Sequence, residues 1–127
     1  MQKAPREVKS ADDILSTDDY QFIEIDVPEW NTEVTLRSLT AEEAMDMNER
    51  FDSEKGRRGS NLILVQLSII RHKSREKEGD FLFTPEQMPA LKRKSLKAIS
   101  RIANAALKLN GMDKQSRARE EEEAKND

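Results

Sequence analysis

The fold is decided by the stretch Val27-Pro28-Glu29-Trp30, which is followed by Val34-Thr35-Leu36-Arg37-Ser38-Leu39-Thr40 and then by Ala41-Glu42-Glu43-Ala44-Met45. In order, it predicts the end of one strand, a turn that carries the only tryptophan, a second strand and the start of a helix. The sequence therefore predicts a β-hairpin that leads directly into a helix, and the other segments are interpreted relative to this unit.

Alternation of apolar and polar side chains predicts the strands of this hairpin. In the first strand, Ile23, Ile25 and Val27 share one face. Proline has no backbone N–H for a ladder, so Pro28 ends the strand. The side chain of Trp30 then either folds over the apolar face of the hairpin or stays exposed as an anchor for a partner. The bulk of tryptophan favours the first arrangement.

The run Thr40-Ala41-Glu42-Glu43 is a capping box, in which each of Thr40 and Glu43 offers a side-chain oxygen to the backbone N–H of the other. The helix that follows is predicted to be amphipathic, with a solvated acidic face. Its apolar face consists of Ala41, Ala44, Met45, Met47 and Phe51, and its polar face of Glu42, Glu43, Asp46, Glu49 and Arg50. The charged run from Lys55 to Gly59, with two glycines, predicts an exposed loop after this helix.

Residues 62–72 are the most apolar segment of the chain, and Ser60 or Asn61 is a candidate cap before it. The length of the segment favours a helix, although residues 65–69 also alternate as a strand does. Large apolar side chains surround the whole helical wheel, and such a helix must be covered on every side. Since a small domain is expected to lack the material for this, the segment predicts an oligomer. Its contacts with another subunit or a partner are predicted at Leu62, Leu64, Val65 and Ile69, with Trp30 behind them.

The C-terminal half predicts a helix start at Thr84-Pro85-Glu86-Gln87 and one long amphipathic helix from Ala90 to Leu109. Its apolar face carries Leu91, Ala98, Ile99, Ile102, Ala105, Ala106 and Leu109, and its basic face carries Arg93, Lys94, Lys97, Arg101 and Lys108. Asn110-Gly111 predicts a left-handed C-cap. The charged tail that follows has no apolar stripe and is expected to be frayed or disordered.

Together these segments predict an α+β fold that is mostly α-helical, with an N-terminal β-hairpin followed by about three helices and with charged flexible ends. We expect a flexible arm over residues 1–12, one domain over residues 13–111 and a charged tail over residues 112–127.

Composition narrows the function classes. Of the 127 residues 35% are hydrophobic and 37% charged, so a core is possible but thin, and self-association often completes such cores. The absence of cysteine excludes disulfides and thiolate metal sites. No apolar run approaches the roughly 20 residues that cross a bilayer, and the first residues lack the apolar stretch of a signal peptide. We therefore expect a soluble cytoplasmic protein.

Candidate catalytic groups are few. His72, the only histidine, lies where the apolar segment ends, and a helix C-terminus favours a histidine for reasons unrelated to catalysis. No phosphate-binding loop, nucleophile elbow or zinc-ligand spacing occurs. The acidic cluster from Glu42 to Glu49 is either a hard-cation site or, more commonly, a solvated face. The sequence predicts neither an enzyme nor a cofactor or metal.

Charge is unevenly distributed between two predicted helices. The acidic face that includes Glu42 and Glu49 is expected to meet the basic face of a neighbouring subunit, which includes Arg93, Lys97 and Arg101. The alternative is a small nucleic-acid-associated or regulatory protein that uses the same basic face together with Arg57-Arg58. A net charge of −3 and the lack of interleaved aromatic residues argue against that alternative.

Three parts of the chain resemble the tail assembly chaperones of lambda-like (HK97-type) long-tailed bacteriophages. They are Val27-Pro28-Glu29-Trp30, the run from Thr35 to Glu43, and Leu107-Lys108-Leu109-Asn110-Gly111. The resemblance extends from about residue 11 to residue 111 and rests on scaffold residues, so it transfers no site residues.

The resemblance implies a homo-oligomeric factor of the host cell cytoplasm, made late in infection, that binds the tape measure protein and is absent from the mature virion. In such phages ribosomal frameshifting usually yields a longer form, whose extension recruits the tail tube protein. The charged tail after Gly111 makes this chain look like the shorter product. A structural virion component, such as a tail completion protein, is a third reading.

Overall fold

The computed structural model describes residues 9–53, 57–71 and 80–125. In chain order the elements are α1 (Ala11–Leu15), β1 (Phe22–Val27), β2 (Thr32–Arg37), α2 (Ala41–Ser53), α3 (Arg57–Ser68), β3 (Ile69–Ile70), α4 (Met88–Leu91), α5 (Leu96–Leu109) and α6 (Lys114–Lys125), with 3₁₀ turns at Pro28–Trp30 and Pro85–Gln87. The predicted α+β, mostly helical fold with an N-terminal hairpin is confirmed. Within the described ranges the helices number six rather than about three, because several are short.

The hairpin forms with the predicted face. β1 and β2 are antiparallel, and their register pairs Ile25 with Val34 and Ile23 with Leu36, so the apolar side chains of both strands lie together. The chain reverses through the 3₁₀ turn and then Asn31, whose φ of 53° is in the left-handed region that asparagine tolerates better than most residues. The sequence therefore determines both the strands and their connection.

A third strand was not predicted. α3 ends at Ser68, and Ile69 and Ile70 then extend along β2, opposite Leu36 and Thr35. The helix predicted through residue 72 is therefore wrong at Ile69 and Ile70, because these two β-branched residues gain ladder hydrogen bonds at the edge of the sheet. Phe81 forms a further bridge to Ile70. His72 lies outside the described residues.

α3 begins earlier than predicted. The expected loop from Lys55 to Gly59 is wrong for residues 57–59, which belong to the first turn of α3, and residues 54–56 lie outside the described ranges. Ser60 and Asn61 are consequently inside the helix rather than caps before it. Burial of the following turns in the core outweighs the cost of about 1 kcal/mol for a glycine inside a helix.

The core surrounds the α3–β3 segment, which we define as residues 62–70. Every side chain from Ile63 to Ile70 is buried, including the polar Gln66 and Ser68. α2 and α5 pack against α3, while β3 joins the sheet. The prediction that this segment needs a second subunit to cover it is therefore wrong: the helices and the sheet of the same chain cover it.

The long C-terminal helix is also interrupted. α4 ends at Leu91, residues 92–95 form a turn, and α5 begins at Leu96 with Ser95 as its N-cap, whose hydroxyl accepts a hydrogen bond from Ala98 N at 3.4 Å. Serine competes well for such a cap, and three consecutive cations precede it. The single helix predicted from Ala90 to Leu109 is therefore wrong between the two helices.

Of the two predictions for the C-terminal region, the one for the C-cap of α5 is confirmed and the one for the charged tail is not. Gly111 has a φ of 68°, and Met112 N donates to Leu107 O at 2.8 Å, which confirms the predicted left-handed C-cap. The tail, however, is helical as α6 rather than irregular. Arginine, glutamate, alanine and lysine are strong helix formers, which favours a helix here although both alanines of α6, Ala118 and Ala124, are exposed.

Candidate protein-binding grooves

Two contacts join the N-terminal half of the chain to α5. Leu39 N donates to Asn110 Oδ1 at 2.8 Å, which joins the segment just before α2 to the end of α5. In the turn of the hairpin, Glu29 Oε2 accepts from Arg101 Nη2 at 2.9 Å. These residues hold the hairpin against α5 and so form part of the scaffold of the fold.

An ion pair anchors α2 to the sheet. Arg37 is 3% exposed and bonds to the carboxylate of Glu43, which also accepts from Thr40 N at 2.9 Å in the predicted capping box. Glu43 N in turn donates to Thr40 Oγ1 at 3.0 Å. The guanidinium of Arg37 lies 4.7 Å from the centre of the Tyr20 ring, a cation–π contact. The prediction that Glu43 belongs to a solvated face is therefore wrong.

A second polar network fixes the orientation of α2. Gln66, fully buried on α3, accepts from Arg50 Nη1 at 2.8 Å and donates to Phe83 O at 2.8 Å. Because Glu43 and Arg50 both reach inward, the buried side of α2 runs through them and Met47. Met45 is rotated outward and is 65% exposed, so its predicted place on the apolar face is wrong.

This rotation of α2 creates what we call the acidic groove, with a volume of about 610 Å³. Its lining includes the carboxylates of Glu42, Glu43, Asp46 and Glu49. Its apolar lining comes from Met45, Leu67 and Phe81. Arg37 also lines the groove but is paired with Glu43, so the groove offers an apolar contact beside the exposed carboxylates of Glu42 and Glu49. Such a surface is the complement of an apolar side chain flanked by lysine or arginine.

A second groove, which we call the basic groove, lies where α3 meets the start of α5 and has a volume of about 220 Å³. Leu62, Leu96 and Ile99 supply its apolar lining, and Lys92 and Lys94 supply its positive charge. Leu96 is 63% exposed although it is the first residue of a helix whose other face is buried. This groove is the complement of an apolar side chain flanked by carboxylates.

Some of the predicted contact residues lie in the core and others line the two grooves. Leu64, Val65 and Ile69 are buried within the chain, so their prediction as contacts with a partner is wrong; the apolar character that suggested them is used by the core. Leu62 lines the basic groove, and Glu42 and Glu49 line the acidic groove.

The remaining predicted contacts belong to the hairpin turn and to α5. Trp30 is half-buried against the core, with its ring edge-on to Phe83 at 6.2 Å between centroids. Arg93 and Lys97 are exposed close to the basic groove, whereas Arg101 is paired with Glu29.

Sequence reasoning missed Leu96 and misplaced Met45. Met45 lies between Ala44 and Met47, so helical periodicity assigned it to the buried face together with them, whereas Leu96 follows a charged run and was ignored. A usable signal was present for Leu96, which follows Lys92-Arg93-Lys94-Ser95 and does not fit the apolar stripe of α5.

Two further observations concern metal binding and membrane spanning. Among the described residues, no group of three or more histidine or acidic side chains is arranged to hold a metal ion. Within the same part of the chain, no helix has the length and apolar character that crossing a bilayer requires.

Comparison with known proteins gives no identification. No protein-family model matches the chain, and neither a curated protein nor a solved structure matches it.

Proposed function

We propose that this chain is a tail assembly chaperone of a long-tailed bacteriophage, the shorter product of a frameshifting gene, which self-associates and binds the tape measure protein in the host cytoplasm. It acts without catalysis or a cofactor, and it leaves before the virion is mature. The longer frameshifted form would carry the contact with the tail tube protein.

The observation that carries this proposal is the basic groove. An uncovered leucine, Leu96, lies beside the partly buried Leu62 and between exposed lysine side chains. Such an arrangement favours holding another polypeptide, because an apolar contact supplies affinity and the charges select which sequence docks. The family resemblance of the scaffold then supplies the identity of the partner.

The groove also specifies the chemistry of the bound segment. Its volume of about 220 Å³ admits one or two apolar side chains rather than a whole helix face. Because Lys92 and Lys94 line it, the segment that fits best presents an apolar residue with aspartate or glutamate on either side. We expect amphipathic, acidic helical stretches of the tape measure protein to bind here.

The test is a binding titration between the purified chain and overlapping fragments of the tape measure protein, followed by fluorescence anisotropy. We expect one or a few acidic-apolar fragments to bind, and the Leu96→Ser variant to bind them about tenfold more weakly, as loss of a central apolar contact typically does. Leu15→Ser is the matched control, because Leu15 is 82% exposed on α1 and lines neither groove. We expect it to bind like the wild type.

Two outcomes would contradict the proposal. If no fragment binds, the chaperone assignment fails. If instead the chain shifts duplex DNA with a steep dependence on salt, the nucleic-acid alternative gains the support that the chaperone loses, since phosphate contacts weaken sharply as salt rises.

A further inference from the structure

We propose that the acidic groove of one copy of this chain receives the basic corner of a second copy, which we define as residues 92–97 between α4 and α5. This inference deepens the proposed function, because it rests on the self-association that forms part of it. It names the two surfaces that meet, which do so head to tail. Because Lys92, Lys94 and Leu96 also line the basic groove, docking of the corner and binding of a tape measure segment are alternatives on any one copy.

The basic corner is an exposed segment between two buried residues. All of its residues are exposed, while the residues on either side, Leu91 and Ala98, are buried, so the segment is anchored at both ends and accessible between them. It carries four cations and one large apolar side chain, in the order Lys92-Arg93-Lys94-Ser95-Leu96-Lys97.

The groove matches the corner in charge and in apolar contact. Two exposed carboxylates, Glu42 and Glu49, line the groove, and four cations lie on the corner. The other two carboxylates of the groove are paired within the chain, Glu43 with Arg37 and Asp46 with Arg50. Beside the exposed charges, Leu96 of one copy fits against Met45 of the other, and both side chains are mostly exposed in the single chain. Apolar burial at the centre with opposite charges around it is the arrangement of a specific protein interface.

In this arrangement, the acidic groove and the basic corner of one chain contact two different neighbouring subunits. α3 packs against both α2, which bears the acidic groove, and α5, which begins in the basic corner, whereas α2 and α5 are not in substantial contact with each other. A contact between two different surfaces of identical subunits is head-to-tail, and repetition of it produces a ring or an open chain of subunits rather than a closed two-fold dimer.

Charge reversal tests this contact. The groove variant combines Glu42→Lys with Glu49→Lys, and the corner variant combines Lys94→Glu with Lys97→Glu. All four side chains are exposed, so we expect both variants to fold, which circular dichroism and urea unfolding would verify. The matched controls are Glu33→Lys and Lys108→Glu, which change charge at exposed positions outside both surfaces.

The measurement is sedimentation velocity over a range of concentrations, first for each protein alone and then for mixtures. We expect wild-type chain to associate, and each variant alone to associate roughly ten- to thirtyfold more weakly, because attraction becomes repulsion at two positions. Mixing the two variants should restore association, since each then offers a surface that complements the other. The controls should behave like wild-type chain.

Three results would overturn the inference: a wild-type chain that stays monomeric at every concentration, a groove variant that associates like wild type, or a mixture that remains as dissociated as its components. The groove variant keeps the basic groove intact, so its binding of a tape measure fragment reports on the proposed function separately. A variant that binds the fragment while self-association is unaffected would remove this interface and leave the chaperone proposal standing.

Discussion

The α3–β3 segment and the basic corner each contain a leucine, and the two leucines differ in their exposure to solvent. Leu64 lies in the most apolar stretch of the chain and is buried on all sides by other parts of the same molecule. Leu96 lies among lysines and arginine and remains mostly exposed. The difference teaches that apolar density along the sequence locates the core, whereas an isolated apolar residue within a charged run locates surface that is available for binding.

The largest effect is expected from truncating the buried leucine. Leu64→Ala should lower the free energy of unfolding by about 4 kcal/mol, because it leaves a cavity in a closely packed core. Leu96→Ala is the matched control, with an expected change within about 0.5 kcal/mol for an exposed position. Urea unfolding followed by circular dichroism measures both. Equal destabilisation by the two substitutions would contradict the distinction between the two regions.

A comparable contrast exists between adjacent glutamates on α2. Glu43→Ala should destabilise the fold by about 3 kcal/mol, because it leaves the buried guanidinium of Arg37 without its carboxylate. Glu42→Ala removes an exposed charge from the acidic groove and should change stability by about 0.5 kcal/mol or less. The same unfolding experiment distinguishes Glu43, which stabilises the fold, from Glu42, which lies in the acidic groove. A Glu43→Ala variant as stable as wild type would show that the ion pair with Arg37 does not hold α2 against the sheet.

The smallest of these stability effects concerns the tie between the hairpin and α5. Asn110→Ala removes the acceptor for Leu39 N and should cost about 1 kcal/mol. Asn104, exposed on the same helix, supplies the control substitution Asn104→Ala, for which we expect no loss. Thermal unfolding of both variants makes the comparison. If neither variant is destabilised, the contact between Leu39 and Asn110 contributes nothing to the scaffold.

Local rules predicted much of the fold. Alternation predicted both strands of the hairpin, Pro28 marked the end of the first, and the capping box at Thr40 and Glu43 formed as expected. The C-cap at Gly111 also formed. Each of these features depends on residues that are close in sequence, so a single sequence contains the necessary information.

Features that depend on distant contacts could not be predicted in this way. The strand at Ile69–Ile70 exists because β2 offers a free edge, and residues 35–36 are far from it in the sequence. The rotation of α2 depends on Arg37 and Gln66, which lie on other elements. A helical wheel cannot detect either partner, and it therefore placed Met45 inside and Glu43 outside.

The candidate site was predicted only in part. Of the charged residues predicted, Glu42 and Glu49 line the acidic groove. The predicted cations Arg93, Lys97 and Arg101 are not among the residues that line the basic groove. The apolar component was assigned to the wrong segment, because the sequence does not reveal that the sheet, α2 and α5 together cover the α3–β3 segment. Leu62, at the edge of that segment, is the one predicted apolar contact that also lines a groove.

Hydrogen exchange on the monomer tests most directly the claim that the chain covers its own most apolar segment. The chain would be diluted until sedimentation shows monomer, and exchange of its backbone amides would be followed by mass spectrometry. We predict that amides of residues 63–70 exchange most slowly, because they lie in the core of a single chain. Rapid exchange there, slowing only when subunits associate, would contradict the account and place the segment at an interface.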